Sequence, residues 1–274
     1  MKIALVQQPA AHDNAENLKR GVVAFHQAAK AGAKLIAFAE LAFSRFWPQF
    51  HSMPEFLAKA EPIPGPTTEE FSFLAREYGV VVVLNLFERD GDQIFNTSPV
   101  IDADGKILGK TRMLHIMEGP KFHESGYYSP GNLPNFVYQT QAGRVGVAIC
   151  YDRHFPEYMR GLGLAGAEVV VVPQAGALGE WLPGIFEAEL QVAAFQNGYY
   201  AALANRVGKE EGLHFAGESF VVNPNGEVIA RAPQEEDFIL YAECDLQKIE
   251  QSFAKKHFLK DRRPDFYHFL KLED

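Results

Sequence analysis

The feature that most constrains the fold is an alternation of short apolar runs with segments of helical periodicity. Ile3–Val6 is apolar enough for a buried strand, and residues 18–29 then place apolar side chains at the spacing of one helix face. Gly32 ends that helix, and the next strand follows at 34–38. The same unit recurs at 67–84, where a capped helix precedes five apolar residues. This order predicts an α/β fold of mixed sheets with helices outside them.

Two turn motifs interrupt this alternation. The DADG segment at 102–105 and the NPNG segment at 223–226 each predict a hairpin. The strands that they join are predicted at 94–101, 106–112, 218–222 and 227–231. We find no linker and no repeat, so we predict one domain over 1–274. From about residue 245 the chain is more charged and aromatic, and we expect 245–274 to form a C-terminal arm at a subunit interface.

Charge and cysteine content exclude several classes of protein. The chain has 26 Lys and Arg against 35 Asp and Glu, a net charge of −9, which disfavours a surface that follows nucleic-acid phosphates. Two cysteines cannot form a disulfide framework and indicate a reducing compartment. No apolar run reaches the about 20 residues that span a bilayer, or the about 7–15 of a signal peptide. We therefore expect a cytoplasmic protein that binds neither membrane nor nucleic acid.

Cys150 lies where the apolar run 145–149 ends and a turn leads to a helix that begins at Pro156. This position puts the sulfur near a helix N-terminus, where the dipole and unpaired N–H groups favour a thiolate. A single cysteine is also commonly a small buried hydrophobic residue. The residues alone leave both interpretations open.

A nucleophilic thiol needs a base, and Glu40 is the candidate. It ends the apolar strand 36–40, where a carboxylate is costly unless it is exposed or functional. Strand ends on one edge of an α/β sheet converge, so Glu40 and Cys150 are able to meet. The alternative is a solvated loop carboxylate.

The motifs around these residues resemble the nitrilase superfamily of carbon–nitrogen hydrolases over nearly the whole chain. They stand in the superfamily's order: Glu40, DADGKILGKTR at 102–112, FHESGYYSPGN at 122–132, AICYDRHFPE at 148–157 and NRVG at 205–208. Within the superfamily, the CYDRH and FHESGYY runs are most similar to N-carbamoyl amide hydrolases of the β-ureidopropionase type.

This resemblance implies a four-layer α-β-β-α sandwich, a homodimer or higher homo-oligomer, and no metal or organic cofactor. Carried over by motif, Glu40 is the general base, Cys150 the nucleophile that forms a thioester acyl-enzyme, and Glu124 the second glutamate. The backbone N–H of Tyr151 supplies half of the oxyanion hole. The implied reaction is hydrolysis of a non-peptide C–N bond, in an N-carbamoyl amino acid or related amide. An aliphatic amidase or a nitrilase is the alternative.

One position departs from the superfamily pattern. The family strand reads Gly-Lys-x-Arg-Lys-x-His-[Leu/Ile], whereas residues 109–116 read GKTRMLHI, so Met113 stands at the lysine position. A thioether neither stabilises an oxyanion nor balances carboxylate charge. Strand alternation predicts that Lys110 faces away, and Lys121 is the other candidate replacement. A catalytically weakened binding or assembly protein is therefore the second function class.

Several further residues are candidates for binding substrate. Arg153 suits a bidentate clamp on a substrate carboxylate, although an ion pair at the helix start explains it too. Tyr151, Tyr127 and His154 are predicted to line the pocket, and core packing is the alternative for such aromatic residues. Arg206 is predicted to make a structural ion pair. No paired His or Cys spacing indicates a metal site.

Overall fold

The computed structural model describes residues 1–271. The strands are β1 (Lys2–Gln7), β2 (Leu35–Phe38), β3 (Val81–Val83), β4 (Leu86–Asp90), β5 (Gln93–Ile101), β6 (Ile107–Arg112), β7 (Glu118–Gly119), β8 (Phe122–His123), β9 (Val137–Thr140), β10 (Gly143–Val147), β11 (Val169–Gln174), β12 (Tyr200–Asn205), β13 (Val207–Lys209), β14 (His214–Ala216), β15 (Phe220–Val222), β16 (Val228–Arg231) and β17 (Phe238–Glu243). The α-helices are α1 (Asn14–Lys30), α2 (Pro54–Leu57), α3 (Pro66–Tyr78), α4 (Pro156–Leu164), α5 (Ile185–Asn197) and α6 (Gln247–Gln251).

Most of the strands form two mixed sheets. The first runs β17-β1-β2-β3-β5-β4, with β6 beside β5, and the second runs β16-β15-β12-β11-β10-β9. The central strands β1, β2 and β3 are parallel, as are β10, β11 and β12, while the outer pairings are antiparallel. The predicted hairpins are both present, joining β5 to β6 and β15 to β16.

The two sheets pack face to face, and helices cover their outer faces. In β1, Ile3 and Leu5 point into the core between the sheets, while Ala4 and Val6 pack under Phe25 of α1. Both faces of this strand are therefore buried, which explains why its sequence is continuously apolar. Helix α3 lies beside α1, and α4 and α5 cover the second sheet. The α/β fold and its four α-β-β-α layers are confirmed.

This topology places two strand ends at one end of the sandwich. Strand β2 ends at Phe38, shortly before Glu40, and β10 ends at Val147, shortly before Cys150. Each strand is shorter than the sequence indicated. Left-handed backbone follows each, with φ of 47° at Leu41 and 43° at Cys150. Left-handed conformations are uncommon outside glycine, and here they turn both chains sharply at the site.

Beyond β17, the chain packs against α5, one of the helices that cover the second sheet. After α6, a single π-helical turn at Ala254–Phe258 brings Phe258 against Phe195 of α5, with ring centroids 5.4 Å apart. The single domain over 1–274 and the interface role of 245–274 stay predictions, and 272–274 lie outside the described residues. Within 1–271, no helix combines the length and apolarity needed to cross a membrane.

Candidate active site

A pocket of about 460 Å³ opens where the ends of β2 and β10 converge. Its wall includes Glu124, Cys150, His154, Glu180 and Trp181. A thiol and several carboxyl groups therefore lie in one concave site, which is typical of a pocket that binds a small molecule.

Cys150 opens a short 3-10 helix at Cys150–His154 and is 8% exposed. Burial raises the pKa of its thiol well above the usual value, Glu40 and Glu124 raise it further, and the backbone N–H of Ala175 lowers it. Desolvation and the two neighbouring carboxyl groups thus act against the thiolate, and the predicted effect of a helix N-terminus stays a prediction. The thiol keeps its proton at neutral pH and needs a base when it attacks.

Glu40 is fully buried, and the Cys150 thiol is close enough to act on the pKa of its carboxyl group. The side-chain amide of Asn96 donates to Oε1 across 2.6 Å, whereas Oε2 accepts no hydrogen bond from residues 1–271. Burial raises the pKa of Glu40 to about 7, and the Cys150 thiol and the Asn96 amide oppose that rise. A carboxyl group that titrates near neutrality and lies close to the thiol suits a general base.

Glu124 lies in the same pocket, at the start of the 3-10 helix Glu124–Gly126. It is 1% exposed, and its Oε2 accepts a hydrogen bond from the Met117 backbone at 3.1 Å. Burial, followed by the charge of Glu40, raises the pKa of Glu124 well above its usual value. The raised pKa favours its protonated form, which is able to donate a hydrogen bond.

Met113 stands at the position where a lysine was expected from the family pattern. It is 1% exposed and packs in the same core cluster as Cys150, with its sulfur 3.5 Å from the Asn96 amide nitrogen. Lys110 lies on the opposite face of β6, as predicted, and pairs with Glu88. Lys121 is exposed. No lysine or arginine is among the described residues that line the pocket.

The buried cation nearest to Glu40 is Arg206, which acts through the backbone. Its guanidinium donates to the Glu40 carbonyl at 2.9 Å and forms the predicted ion pair, with Glu210, at 2.5 Å. The positive charge of Arg206 is one of the influences that lower the pKa of Glu40. Arg206 thus fixes the loop that carries the base.

Arg153 lies outside the pocket. Its guanidinium is buried against the rings of Phe186 and Trp181, donates to the Phe186 carbonyl at 3.0 Å, and lies 3.7 Å from Glu189. Arg153 is not among the residues that line this pocket, and its role as a carboxylate clamp stays a prediction.

The other predicted binding residues divide into two groups. Tyr151 and His154 line the pocket, and His154 contacts Glu189 through Nδ1 at 2.8 Å. Tyr127, in contrast, is 3% exposed and packs against Phe87. The expectation that Tyr127 lines the pocket is not met, because the turn at Glu124–Gly126 directs its ring into the core.

Three residues of the site were missed at the sequence level. Asn96 is the first of three consecutive polar residues in the buried strand β5, and its contact with Glu40 depends on the turn that follows β2. Ala175 acts through its backbone, which no side-chain motif reveals. Glu180 lies in the loop after β11 and lines the pocket, where the Ala177 backbone donates to its Oε2 at 2.9 Å. Burial raises the pKa of Glu180, and Arg153 and His154 partly oppose this.

Comparison with known proteins gives consistent matches along the chain. The carbon-nitrogen hydrolase family matches residues 2–252. The N-carbamoylputrescine amidase of Solanum lycopersicum is 36% identical, with 94% of this chain and 89% of that protein covered. The citrullinase of Francisella tularensis is 34% identical, with 97% and 96% covered.

Solved structures show the same similarity. A carbon-nitrogen hydrolase from Helicobacter pylori G27 superposes with a TM-score of 0.92 at 31% identity, covering 100% of this chain and 99% of that one. A variant of the amidase from Nesterenkonia sp. AN1, at 28% identity, has a TM-score of 0.82 over 98% of this chain and 97% of its own. In that structure acrylamide has added to the active-site cysteine.

Proposed function

This chain belongs to the carbon–nitrogen hydrolase family, and from that premise we propose that it hydrolyses an N-carbamoyl compound through a thioester on Cys150. The chain is a carbon–nitrogen hydrolase that acts on amides; the substrate and the mechanism are the proposal. The observation that carries it is the burial of Glu40 close to Cys150, near enough for the thiol to act on the pKa of the carboxyl group. A buried thiol and a base that titrates near neutrality are the two groups that such chemistry requires.

The proposed reaction has two stages. The Cys150 sulfur attacks the carbonyl carbon of R–NH–CO–NH₂ while Glu40 takes the thiol proton, and the Tyr151 backbone N–H stabilises the oxyanion. The C–NH₂ bond then breaks, and Glu40 returns the proton to the departing nitrogen. Ammonia is released, and the thioester Cys150–S–CO–NH–R remains. Water, deprotonated by Glu40, attacks the thioester and regenerates the thiol. The released carbamic acid decomposes to an amine and carbon dioxide.

Glu124 supports this chemistry as a hydrogen-bond donor. Because its raised pKa favours the protonated form, it is able to donate to the substrate carbonyl or accept from the substrate amide. Its position at the pocket wall beside Cys150 fits that role.

The charges on the pocket wall favour a substrate with a distant amine. Glu124 and Glu180 line it, and no arginine or lysine does so among the described residues. A carboxylate on the substrate would meet the like charge of ionised Glu180, whereas an ammonium group would pair with it. The relatives named for N-carbamoylputrescine and citrulline agree with a carbamoyl group on a nitrogen-rich chain. An aliphatic amide or a nitrile is the alternative substrate.

Met113 favours a second candidate function, ligand binding with little turnover. The family lysine contributes an oxyanion donor, and loss of one such donor typically costs about 10²–10³ in rate. A buried thioether at this position supplies neither charge nor donor. On this second account the protein binds amides and reacts at Cys150 without releasing ammonia.

A substrate panel tests the proposal. Ammonia release is measured with N-carbamoylputrescine, citrulline, N-carbamoyl-β-alanine, a simple aliphatic amide and a nitrile. We expect the highest kcat/KM with the amine-bearing carbamoyl compounds. A preference for the nitrile or the simple amide would replace the proposed substrate class, and saturable binding without ammonia would support the second candidate.

We also propose that the protein works as a cytoplasmic homo-oligomer. Val192 and Phe195 of α5 and Phe253 of the arm are 51%, 39% and 49% exposed, and the rings of Phe195 and Phe253 are stacked. Grouped exposed apolar side chains commonly mark a protein interface. Light scattering in solution checks the mass: a monomer would contradict the proposal.

A further inference from the structure

Two buried asparagines form an amide chain beneath the catalytic carboxylate. Asn96 of β5 donates through Nδ2 to Glu40 Oε1 at 2.6 Å, and Asn85, between β3 and β4, donates through Nδ2 to Asn96 Oδ1 at 2.8 Å. The two side chains are 1% and 0% exposed. Water is therefore largely kept from competing for these hydrogen bonds, and each is stronger than it would be in solvent.

The chain of amides sets which end of Asn96 faces the base. An asparagine side chain that rotates by half a turn exchanges its donor and its acceptor. Such a rotation would place Oδ1 of Asn96 against the Glu40 carboxylate. The donation from Asn85 to Oδ1 prevents it, because the rotated amide would meet Asn85 donor to donor.

Asn85 is itself fixed at both ends. Its Oδ1 accepts from the Leu41 backbone N–H at 2.8 Å, and its Nδ2 also donates to Ser98 Oγ at 3.0 Å. Leu41 follows Glu40 directly and has the left-handed φ of 47°. Asn85 therefore holds the backbone at the base and, through Asn96, the carboxylate itself.

The hydrogen-bonded side chains of Asn85 and Asn96 matter because of the residue at position 113. The Met113 sulfur lies 3.5 Å from the Asn96 amide nitrogen, so a lysine at 113 would bring an ammonium into the same cluster. Methionine has no donor to offer. Resting on the proposed function, we propose that Asn96, oriented by Asn85, is the positioning residue that holds Glu40 as the base in place of a charged donor at position 113.

A neutral donor stabilises a carboxylate less than an ammonium does. This agrees with a pKa of about 7 for Glu40, in a site where burial dominates. The titratable and charged groups that act on Glu40 from the packed elements are Cys150, Glu124, Glu180, Tyr128 and Arg206. Removal of the Asn96 donor leaves these groups in place, so its effect on the titration of Glu40 is separable from theirs.

The test is the rate of Cys150 alkylation by iodoacetamide across a pH series that spans neutrality, followed by peptide mass spectrometry. Native protein, Asn96→Leu, Asn96→Ser and Asn85→Ser are compared. Loss of the Asn96 amide donor destabilises the ionised Glu40 carboxylate. We therefore expect the pH midpoint of the Cys150 alkylation rate to rise by roughly one pH unit in both Asn96 variants. Asn85→Ser should shift it less, in the same direction. In a Met113→Lys background, Asn96→Leu should shift it by less than half as much.

Asn197→Leu is the matched control. Asn197 is a buried asparagine at the end of α5, and its side-chain amide makes hydrogen bonds with the Ala193 carbonyl and the Tyr199 hydroxyl. A purely structural role for Asn96 would lower the folded fraction without moving the midpoint. An unchanged midpoint in whichever Asn96 variant folds, or an equal shift in the Met113→Lys background, overturns the proposal. Alkylation requires no substrate, so a native protein that releases no ammonia would overturn the proposed function and leave this test decisive.

Discussion

The sulfur of Met113 lies 3.5 Å from the side-chain nitrogen of Asn96, the amide that donates to Glu40. The site therefore surrounds its thiol with carboxyl groups and hydrogen-bond donors but with no pocket-lining lysine in the described chain. Burial raises the pKa of Glu40, Glu124 and Cys150 together. Protons held by these three groups, rather than the ammonium of a lysine, keep the negative charge of this site low.

The first prediction concerns the pH dependence of catalysis. Glu40 acts as a base only when ionised, and its pKa is about 7, so kcat/KM should rise with pH through about 7. Met113→Lys places a cation near this carboxylate, which lowers its pKa and moves the rising limb to lower pH. Initial rates over a pH series measure both limbs. Coincident limbs for the two proteins would show that position 113 does not act on the base.

The second prediction concerns Glu180 and substrate charge. Glu180→Gln keeps the shape of the side chain but removes its charge, so KM for an amine-bearing carbamoyl substrate should rise about tenfold to a hundredfold. KM for a neutral amide should change little. Glu187→Gln is the control, since Glu187 pairs with Arg231 and does not line the pocket. Equal effects on charged and neutral substrates would remove Glu180 from amine recognition.

The third prediction concerns stability at the base. Arg206 is 1% exposed and joins Glu210 to the Glu40 carbonyl, so Arg206→Ala removes the cation that pairs with the largely buried Glu210 carboxylate and leaves the Glu40 carbonyl without this donor. We expect a loss of about 3–5 kcal/mol in the free energy of unfolding, measured with urea. Arg231→Ala removes a partly exposed arginine with two ion pairs and should cost at most about 1 kcal/mol. Similar losses in both variants would contradict this ranking.

The fourth prediction concerns the dependence of stability on pH. The pKa of Glu124 is higher in the folded protein than in the unfolded chain, so above the ordinary carboxyl range the folded state keeps a proton that the unfolded chain has lost. The contribution of Glu124 to stability therefore falls with increasing pH from about 4.5 upward. Glu124→Gln cannot titrate and should show a shallower fall, although its activity is reduced. Parallel stability curves for the native and variant proteins would contradict the raised pKa.

The sequence predicted those features that depend on local pattern. Continuous apolar strands and the two turn motifs were sufficient for the layered α/β fold, and the position of Cys150 and Glu40 at strand ends predicted their approach. Alternation along β6 likewise predicted that Lys110 and Met113 face opposite sides. These inferences depend on the periodicity of the sequence, so they do not require knowledge of the tertiary contacts.

The remaining features depend on tertiary surroundings. Arg153 follows the nucleophile closely in sequence, yet its guanidinium packs between aromatic rings behind the pocket, because the short helix at Cys150–His154 rotates it away. Burial raises the pKa of the Cys150 thiol first, and the carboxyl groups of Glu40 and Glu124, which are distant in sequence, raise it further. The contact of Asn96 with Glu40 joins residues 56 positions apart, so no local motif reports it.

The most direct test of the central claim is ammonia release by the native protein, Cys150→Ala and Met113→Lys, run side by side with N-carbamoylputrescine. The thioester mechanism predicts that the native protein turns over and that Cys150→Ala is slower by at least about a thousandfold. Met113→Lys is expected to retain turnover, with its pH limb shifted. A native protein no faster than Cys150→Ala, beside an active Met113→Lys, would contradict hydrolysis as the function of this chain.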